Sequence, residues 1–411
     1  MKSVFVVTLA LLFERGSATT GTNAFESGTS SASGKGSVAM GEENQASGIH
    51  AVAMGNLNFA TNTGSVAMGF MNNANDLGGE NGIGANSNGD FSVAIGEENQ
   101  APGYHAVAMG KNNVADAQGS VAIGVDNIAF APASVAIGYQ NSAQGDRAVA
   151  MGESNSAQGD RAVAMGKGNT ASAAGSVAMG ESNSATASYA VAMGFQNQAT
   201  SPASVAMGYE NQATGFASVA FGYQNDASAE GSVAMGVTNF ATVTYAVAMG
   251  IQNLATGPAS VAFGYQNKAT GPASVAMGSL NEARGSASVA MGRGAVSSLE
   301  TASVALGHYN AKVENAIFEL GNGGCQVPAY DVDTGCDDTT RSNAFEVLKT
   351  GETNFYTNVN IGAGKSLTIG GKTLDADTLQ KLLDLVAAVD LTDAAEKDCL
   401  KQRYNTLGTC S

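Results

Sequence analysis

Apolar and polar residues alternate in one short motif that returns along most of the chain. Ser or Ala is followed by Val-Ala, then by Met, Ile, Phe or Leu, then by Gly, and copies end at Gly41, Gly55, Gly69, Gly96, Gly110 and onward to Gly292 and Gly307. The nineteen copies step by 14 residues, except between Gly69 and Gly96, where 27 residues span one degenerate copy, and between Gly292 and Gly307, where one residue is inserted. Three residues after each Gly stands Asn, replaced only at Ala295; five after it stands Ala, replaced only at Ser297 and Lys312. A fixed period of this kind marks a stacked-repeat architecture. Fourteen residues hold two strands of about five residues and two tight turns, too few for a strand and a helix, so the pattern predicts an all-β parallel β-roll (solenoid) of 14-residue coils.

Strand side chains alternate between faces, so Val38 and Met40 share one face while Ser37 and Ala39 share the other. Hydrophobicity assigns the Val and Met face to the inside, against the small Ala of the opposing strand. The expected core is therefore Val38, Met40, Ala46, Val149, Met151, Val205, Met207, Ala213 and their equivalents. Thirteen of the fifteen Met occupy this slot, but Ile95, Ile123, Ile137, Phe221, Phe263 and Leu306 fill it without sulfur, which favours apolar packing over a thioether metal ladder. The central Ala of the motif then points outward and never becomes Lys, Thr or Glu. Such constancy on an outer face predicts close approach of another copy of the chain along Ala39, Ala53, Ala67, Ala108, Ala150, Ala164, Ala178, Ala192, Ala206, Ala220, Ala234, Ala248, Ala262, Ala276 and Ala290. Asn suits a left-handed turn and can stack as a hydrogen-bonded ladder; the Gly ending each motif suits positive φ or close packing.

The SVAMG and AVAMG pentads with their trailing N-x-A-x-G resemble the head repeats of trimeric autotransporter adhesins of the YadA type, over roughly residues 37–307. That resemblance implies a left-handed roll, three chains around one axis (a homotrimer) and the pentad strands innermost. Residues 315–321 and 341–348 are similar to segments that close such heads. Relatives of this type continue into a coiled-coil stalk and a membrane-embedded β-barrel, whereas this sequence runs out in Asn405-Thr406-Leu407-Gly408-Thr409-Cys410-Ser411 without strand pairs, so release or attachment through partners is expected. The family's collagen-binding motif places Asn before the pentad. Gly36, Gly64, Ala133 or Tyr189 stands there in this chain, so collagen binding does not carry over.

Outside the repeats, Lys2, the apolar run from Val4 to Phe13 and the small residues Gly16-Ser17-Ala18 read as a signal peptide over 1–18. The roll is expected over 22–321, a head-closing loop and short strands over 322–373, and a short C-terminal helix with a disulfide-closed tail over 374–411, where Leu379, Leu382, Val386 and Val389 fall at a/d spacing. Four Cys in an exported chain favour disulfides, with Cys325 paired locally to Cys336 and Cys399 to Cys410 as the preferred connectivity of three. No later stretch is long and apolar enough for a membrane-spanning helix.

Composition narrows the function. A formal charge of −16 and no basic stripe set nucleic-acid partners aside. His50, His105 and His308 lie on separate coils and no nucleophile stands beside a base, so neither catalysis nor a cofactor is expected. The reading is a secreted or surface-associated extracellular rod, adhesive or structural, whose outer aromatics Phe70, Tyr139, Phe195, Tyr209, Tyr223 and Tyr265 offer contacts to a cell-surface or matrix ligand of unknown identity. The alternatives are an ice-binding β-solenoid, through the row Ser172, Thr186, Thr200, Thr214, Ser228, Thr242, Thr256 and Thr270, or a fibre component of a virus particle or matrix.

Overall fold

A computed structural model describes residues 23–74, 90–311, 313–323, 342–355, 366–369 and 372–375. Each described coil contains a long strand that begins at the motif Val, such as Val38–Glu42, and most add a short strand two residues long, such as Gln45–Ala46, reduced to a single bridge at Asn73, Gln100 and Val296. Successive long strands pair in parallel with every motif residue on its counterpart, Val38 on Val52, Ala39 on Ala53, Met40 on Met54. Short strands stack alongside in the same register. Val66–Phe70 pairs directly with Val93–Glu97, so the 27-residue interval leaves the register unbroken. The predicted all-β parallel solenoid of 14-residue coils is what forms, and the described residues contain no helix. The short strand is shorter than expected because the residue before it is an Asn turned into the interior, which ends the extended run.

The alternation of faces is as the sequence dictates, but the assignment of inside and outside is reversed. Ala39, Ala53, Ala67, Ala108, Ala150, Ala164, Ala178, Ala192, Ala206, Ala220, Ala234, Ala248, Ala262, Ala276 and Ala290 have 0% accessible surface within a single chain and cannot form a contact between chains. Val38, Met40, Val149, Met151, Val205 and Met207 are only partly buried and project from the roll; of the expected core, Ala46 and Ala213 alone are interior. The physical reason is thickness. The space between the two sheets takes only small groups, and the buried columns are Ser or Ala, Ala, Asn and Ala. A Met in that space would push the sheets apart in every layer. Constancy of a small residue over nineteen copies, as at the central Ala, therefore marks the tight interior, whereas the larger side chains, the invariant Val and the slot that varies among Met, Ile, Phe and Leu, stand outside.

The Asn column is the strongest interior feature. Asn211 donates from Nδ2 to Asn197 Oδ1 (2.9 Å) in the coil before, to the Met207 carbonyl (2.9 Å) in its own coil and to the Gly222 carbonyl (2.8 Å) in the coil after. Its backbone N–H donates to Asn197 Oδ1 at 3.0 Å, and its own Oδ1 accepts from the N–H and Nδ2 of Asn225, both at 3.0 Å. The same pattern runs from Asn44, which starts on Ser30 Oγ, to Asn281, whose Oδ1 accepts from the Ala295 N–H. Beside it, Gly208 has φ +116°, and a Cβ there would lie 2.1 Å from the Gly222 carbonyl oxygen, so the close approach that the ladder requires admits only Gly.

Two strands finish the roll. Ala316–Asn322 continues the parallel stack on Val304–His308 and pairs antiparallel with Asn343–Leu348. Its register sets Glu319 on Ala305, at the end of the alanine column, and opposite Glu346; both carboxyl groups are buried, Glu319 at 1% exposure. Glu319 accepts from the Asn310 amide and the Val313 N–H, and Asn343 Nδ2 donates to Glu346 at 3.0 Å. Burial, together with the negative charge of Glu346, pushes the Glu319 carboxyl up to about 8, against the opposing pull of the Val313 N–H. A second unit, residues 353–411, contributes the strand Thr353–Phe355 and an antiparallel pair, Ser366–Ile369 with Lys372–Asp375. The expected signal peptide, the four Cys (Cys325, Cys336, Cys399, Cys410) and the a/d positions of the C-terminal helix lie outside the described residues.

Two outcomes follow from this interior. Ala206→Lys should unfold its neighbourhood, lowering the melting temperature steeply, rather than separating chains that stay folded; melting monitored by circular dichroism alongside light scattering distinguishes the two. Glu319 binds its proton more tightly in the folded roll than in the unfolded chain. Its contribution is therefore fully present below the ordinary carboxylate range and is lost as pH rises through about 8. Hydrogen exchange across Ala316–Asn322 should accelerate between pH 6 and 9 beyond its intrinsic pH dependence, and Glu319→Gln should remove that excess.

Candidate functional site

Three rows of side chains project from the long-strand face. Two are apolar in every coil: the motif Val and the Met, Ile, Phe or Leu two residues later. These rows are partly or fully exposed, with Phe221 and Phe263 each at 47%. The third row, the residue after the motif Gly, changes character along the roll. It carries cross-coil ion pairs at Glu97–Lys111 (3.1 Å) and Glu153–Lys167 (3.5 Å), both solvent-exposed and individually worth little. From Phe195 it becomes apolar: Phe195, Tyr209, Tyr223, Val237, Ile251 and Tyr265. Phe195 and Tyr209 stack with centroids 4.9 Å apart, Tyr209 and Tyr223 at 5.2 Å, so ring faces meet at the spacing of the coils. The charge of neighbouring Glu210 raises the Tyr209 phenol. Of the six expected outer aromatics, Phe70, Tyr139, Tyr209, Tyr223 and Tyr265 are exposed, and Phe195 is half-buried.

Where each long strand turns toward the short strand, the chain passes through a left-handed residue: Gln196, Glu210 and Gln224 have φ of 52°, 52° and 51°. This turn residue and the first residue of the short strand stand on either side of the inward Asn, and stacked coils make them the banks of a trough. Between Ser182 and Phe240 the trough has a volume of about 880 Å³ and is lined by Ser182, Ser184, Gln196, Gln198, Glu210, Gln212, Gln224, Asn225, Asp226, Thr238 and Phe240. Gln224 Nε2 donates to Glu210 Oε2 at 2.7 Å. Burial raises the Asp226 carboxyl, opposed by a hydrogen bond from Ser228. Sequence reasoning passed over these residues because they lie at positions that vary freely among repeats. The available signal was an amide or carboxylate at both such positions in three successive coils: Gln196 and Gln198, Glu210 and Gln212, Gln224 and Asp226.

The Thr row also lies on the short-strand face, with Thr186, Thr200, Thr242 and Thr270 exposed. The adjacent row reads Ser184, Gln198, Gln212, Asp226, Phe240, so the face carries no regular double array. The opposite turn presents the most exposed rings. Tyr189 (69%) and Tyr245 (59%) each lie over a Gly of the preceding coil, where a Cβ would come within 2.8 Å (Gly175) and 2.6 Å (Gly231) of the ring. His50 and His105 occupy this same turn in separate coils, and His308 Nδ1 lies 2.7 Å from the Gly323 carbonyl oxygen. Among the described residues no three His, Cys, Asp or Glu side chains converge as metal ligands, and no helix is long and apolar enough to cross a membrane.

The geometry therefore consists of an apolar outward face on one sheet and a polar trough at the turn. No curated protein matches the chain. The family model described as the YadA head domain repeat, in its two-copy form, matches residues 32–58, 81–99, 101–127, 131–155, 157–183 and 185–211, and, in overlapping pairs, 213–281. These matches cover more than half of the sequence and coincide with the stacked coils, so the chain belongs to the YadA head domain repeat family.

Proposed function

We propose that this chain is the head of a homotrimeric extracellular adhesin, with three rolls packed through their Val and Met rows and their other surfaces free for a ligand. The observation that carries the reading is the outward apolar face. Two uninterrupted rows, from Val38 and Met40 to Val304 and Leu306, stand partly open in the single chain. At ~4.8 Å per coil this strip is roughly 90 Å long, far beyond the apolar patch that a monomeric soluble protein leaves uncovered. Family membership supports three copies around one axis, with the pentad strands innermost and a left-handed winding. Burying each Met or Val is worth about 1.5–3 kcal/mol before entropy losses, so many layers in register favour permanent association.

Export fits the same reading, through the N-terminal apolar run and local Cys325–Cys336 and Cys399–Cys410 disulfides. The head-closing region and a C-terminal helix would then cap and knit the three chains. A rod of this kind works by reach and repetition: it holds contact groups far from its base and offers them in three copies. Membership of a structural adhesin family supports a role in contact rather than in chemistry.

Light scattering tests the assembly. The intact chain should have three times its own mass, and Met207→Lys combined with Met235→Lys should shift it toward one chain while the circular dichroism spectrum of the roll is kept, because both side chains point away from its interior. A wild-type chain that stays monomeric, or a double variant whose trimer dissociates no more readily than the wild type, would refute the proposed packing face.

A further inference from the structure

The turn that forms the trough repeats in every described coil, but the side chains that line it do not. Near residues 154–170 its banks carry Ser154, Gly168, Ser156 and Thr170, and at residues 57–71 they carry Leu57, Phe59 and Met71. The fold therefore places no demand on these positions, and the concentration of amides and carboxylates in three successive coils calls for another cause.

We propose that this stretch is a binding site for a neutral, linear oligosaccharide, with the amides of Gln196, Gln198, Gln212 and Gln224 pairing with its hydroxyl groups and Glu210 and Asp226 accepting from them. The chemistry of the lining selects the class. No cation lines the trough and two carboxylates do, so phosphorylated, sulfated or sialylated ligands are repelled. Phe240 is the one large apolar side chain of the lining, too little for a lipid or an amphipathic helix. An extended peptide would need a free strand edge. The short strands here are paired on both sides, Gln198 to Ser184 and Gln212, Asp226 to Gln212 and Phe240.

A sugar hydroxyl both donates and accepts, as an amide does, and neighbouring hydroxyls can span one planar amide. The bonds that the lining already makes position it: Glu210 is held by Gln224, and Asp226 by Ser228. Equivalent groups recur at each coil, ~4.8 Å apart, so a polymer whose rings advance by a similar step meets the same partners in consecutive layers. Phe240 at one end offers a face for a ring to stack on. The assignment deepens the adhesive reading by giving it a ligand class and a place, and the site lies within one chain, independent of the packing of three.

The test is an array of immobilised linear gluco-, galacto-, manno- and N-acetylglucosamine oligosaccharides, with sialylated and sulfated counterparts, probed with the full chain. Binding should favour neutral members. Gln198→Ala with Gln212→Ala should weaken it by about tenfold or more, while melting temperature and solution mass stay unchanged. Ser142→Ala with Ser156→Ala, at the equivalent positions of other coils, should leave it intact. Failure to bind any neutral oligosaccharide, preference for anionic ones, or full binding by the Gln double variant would each overturn the assignment. A monomer that binds would refute the trimer and keep this site; a trimer that binds none would do the reverse.

Discussion

The structure depends on a buried amide that is fully hydrogen-bonded. An Asn side chain has two donors and an acceptor with two lone pairs, and burying it unpaired would cost several kcal/mol. In this roll each amide reaches the coil before, its own coil and the coil after, so one residue type satisfies the polar groups that a sharp turn exposes in three layers. The price is conformational. The residue before many of these Asn is held at positive φ although it carries a side chain, as at Gln196, Glu210 and Gln224, at roughly 1–2 kcal/mol each. The ladder outweighs that strain because its bonds are short and shielded from water, and the Gly of each motif lets neighbouring carbonyls come close enough to take part.

A thin interior has a second consequence. With only Ala, Ser and Asn inside, the coil cannot hide its larger apolar side chains, and Val and Met are left on the surface of the long-strand sheet. In an ordinary sandwich, side chains of that size would form the core. Here they are displaced onto a face that one chain alone cannot cover. The fold of a single chain and its open apolar face therefore have one cause, a space between the sheets sized for methyl groups and amides.

Much of this was legible from residue spacing. The 14-residue period, the two strands per coil, the parallel register and the alternation of faces all follow from repetition and strand geometry. The choice of interior face did not follow, because larger apolar residues were taken to prefer the inside, whereas the unvarying Ala and Asn were the ones under steric control. The trough was hidden for a related reason. Free variation between coils reads as absence of constraint, and only the structure brings Gln198, Gln212 and Asp226 together with Gln196, Glu210 and Gln224. The buried Glu319 was equally silent, since its burial comes from landing on the alanine column beside Asn343–Leu348.

The unbroken register also bears on heredity. Each coil hands to the next the same donors and acceptors that it received, so a gene encoding such a chain can gain or lose whole 14-residue blocks by unequal recombination without creating a mismatched junction. Residues 141–152 and 155–166 have identical sequences, as would follow from a copying event of this kind. Length is thus a trait that this architecture can vary in discrete steps while chemistry at the other coils is left untouched.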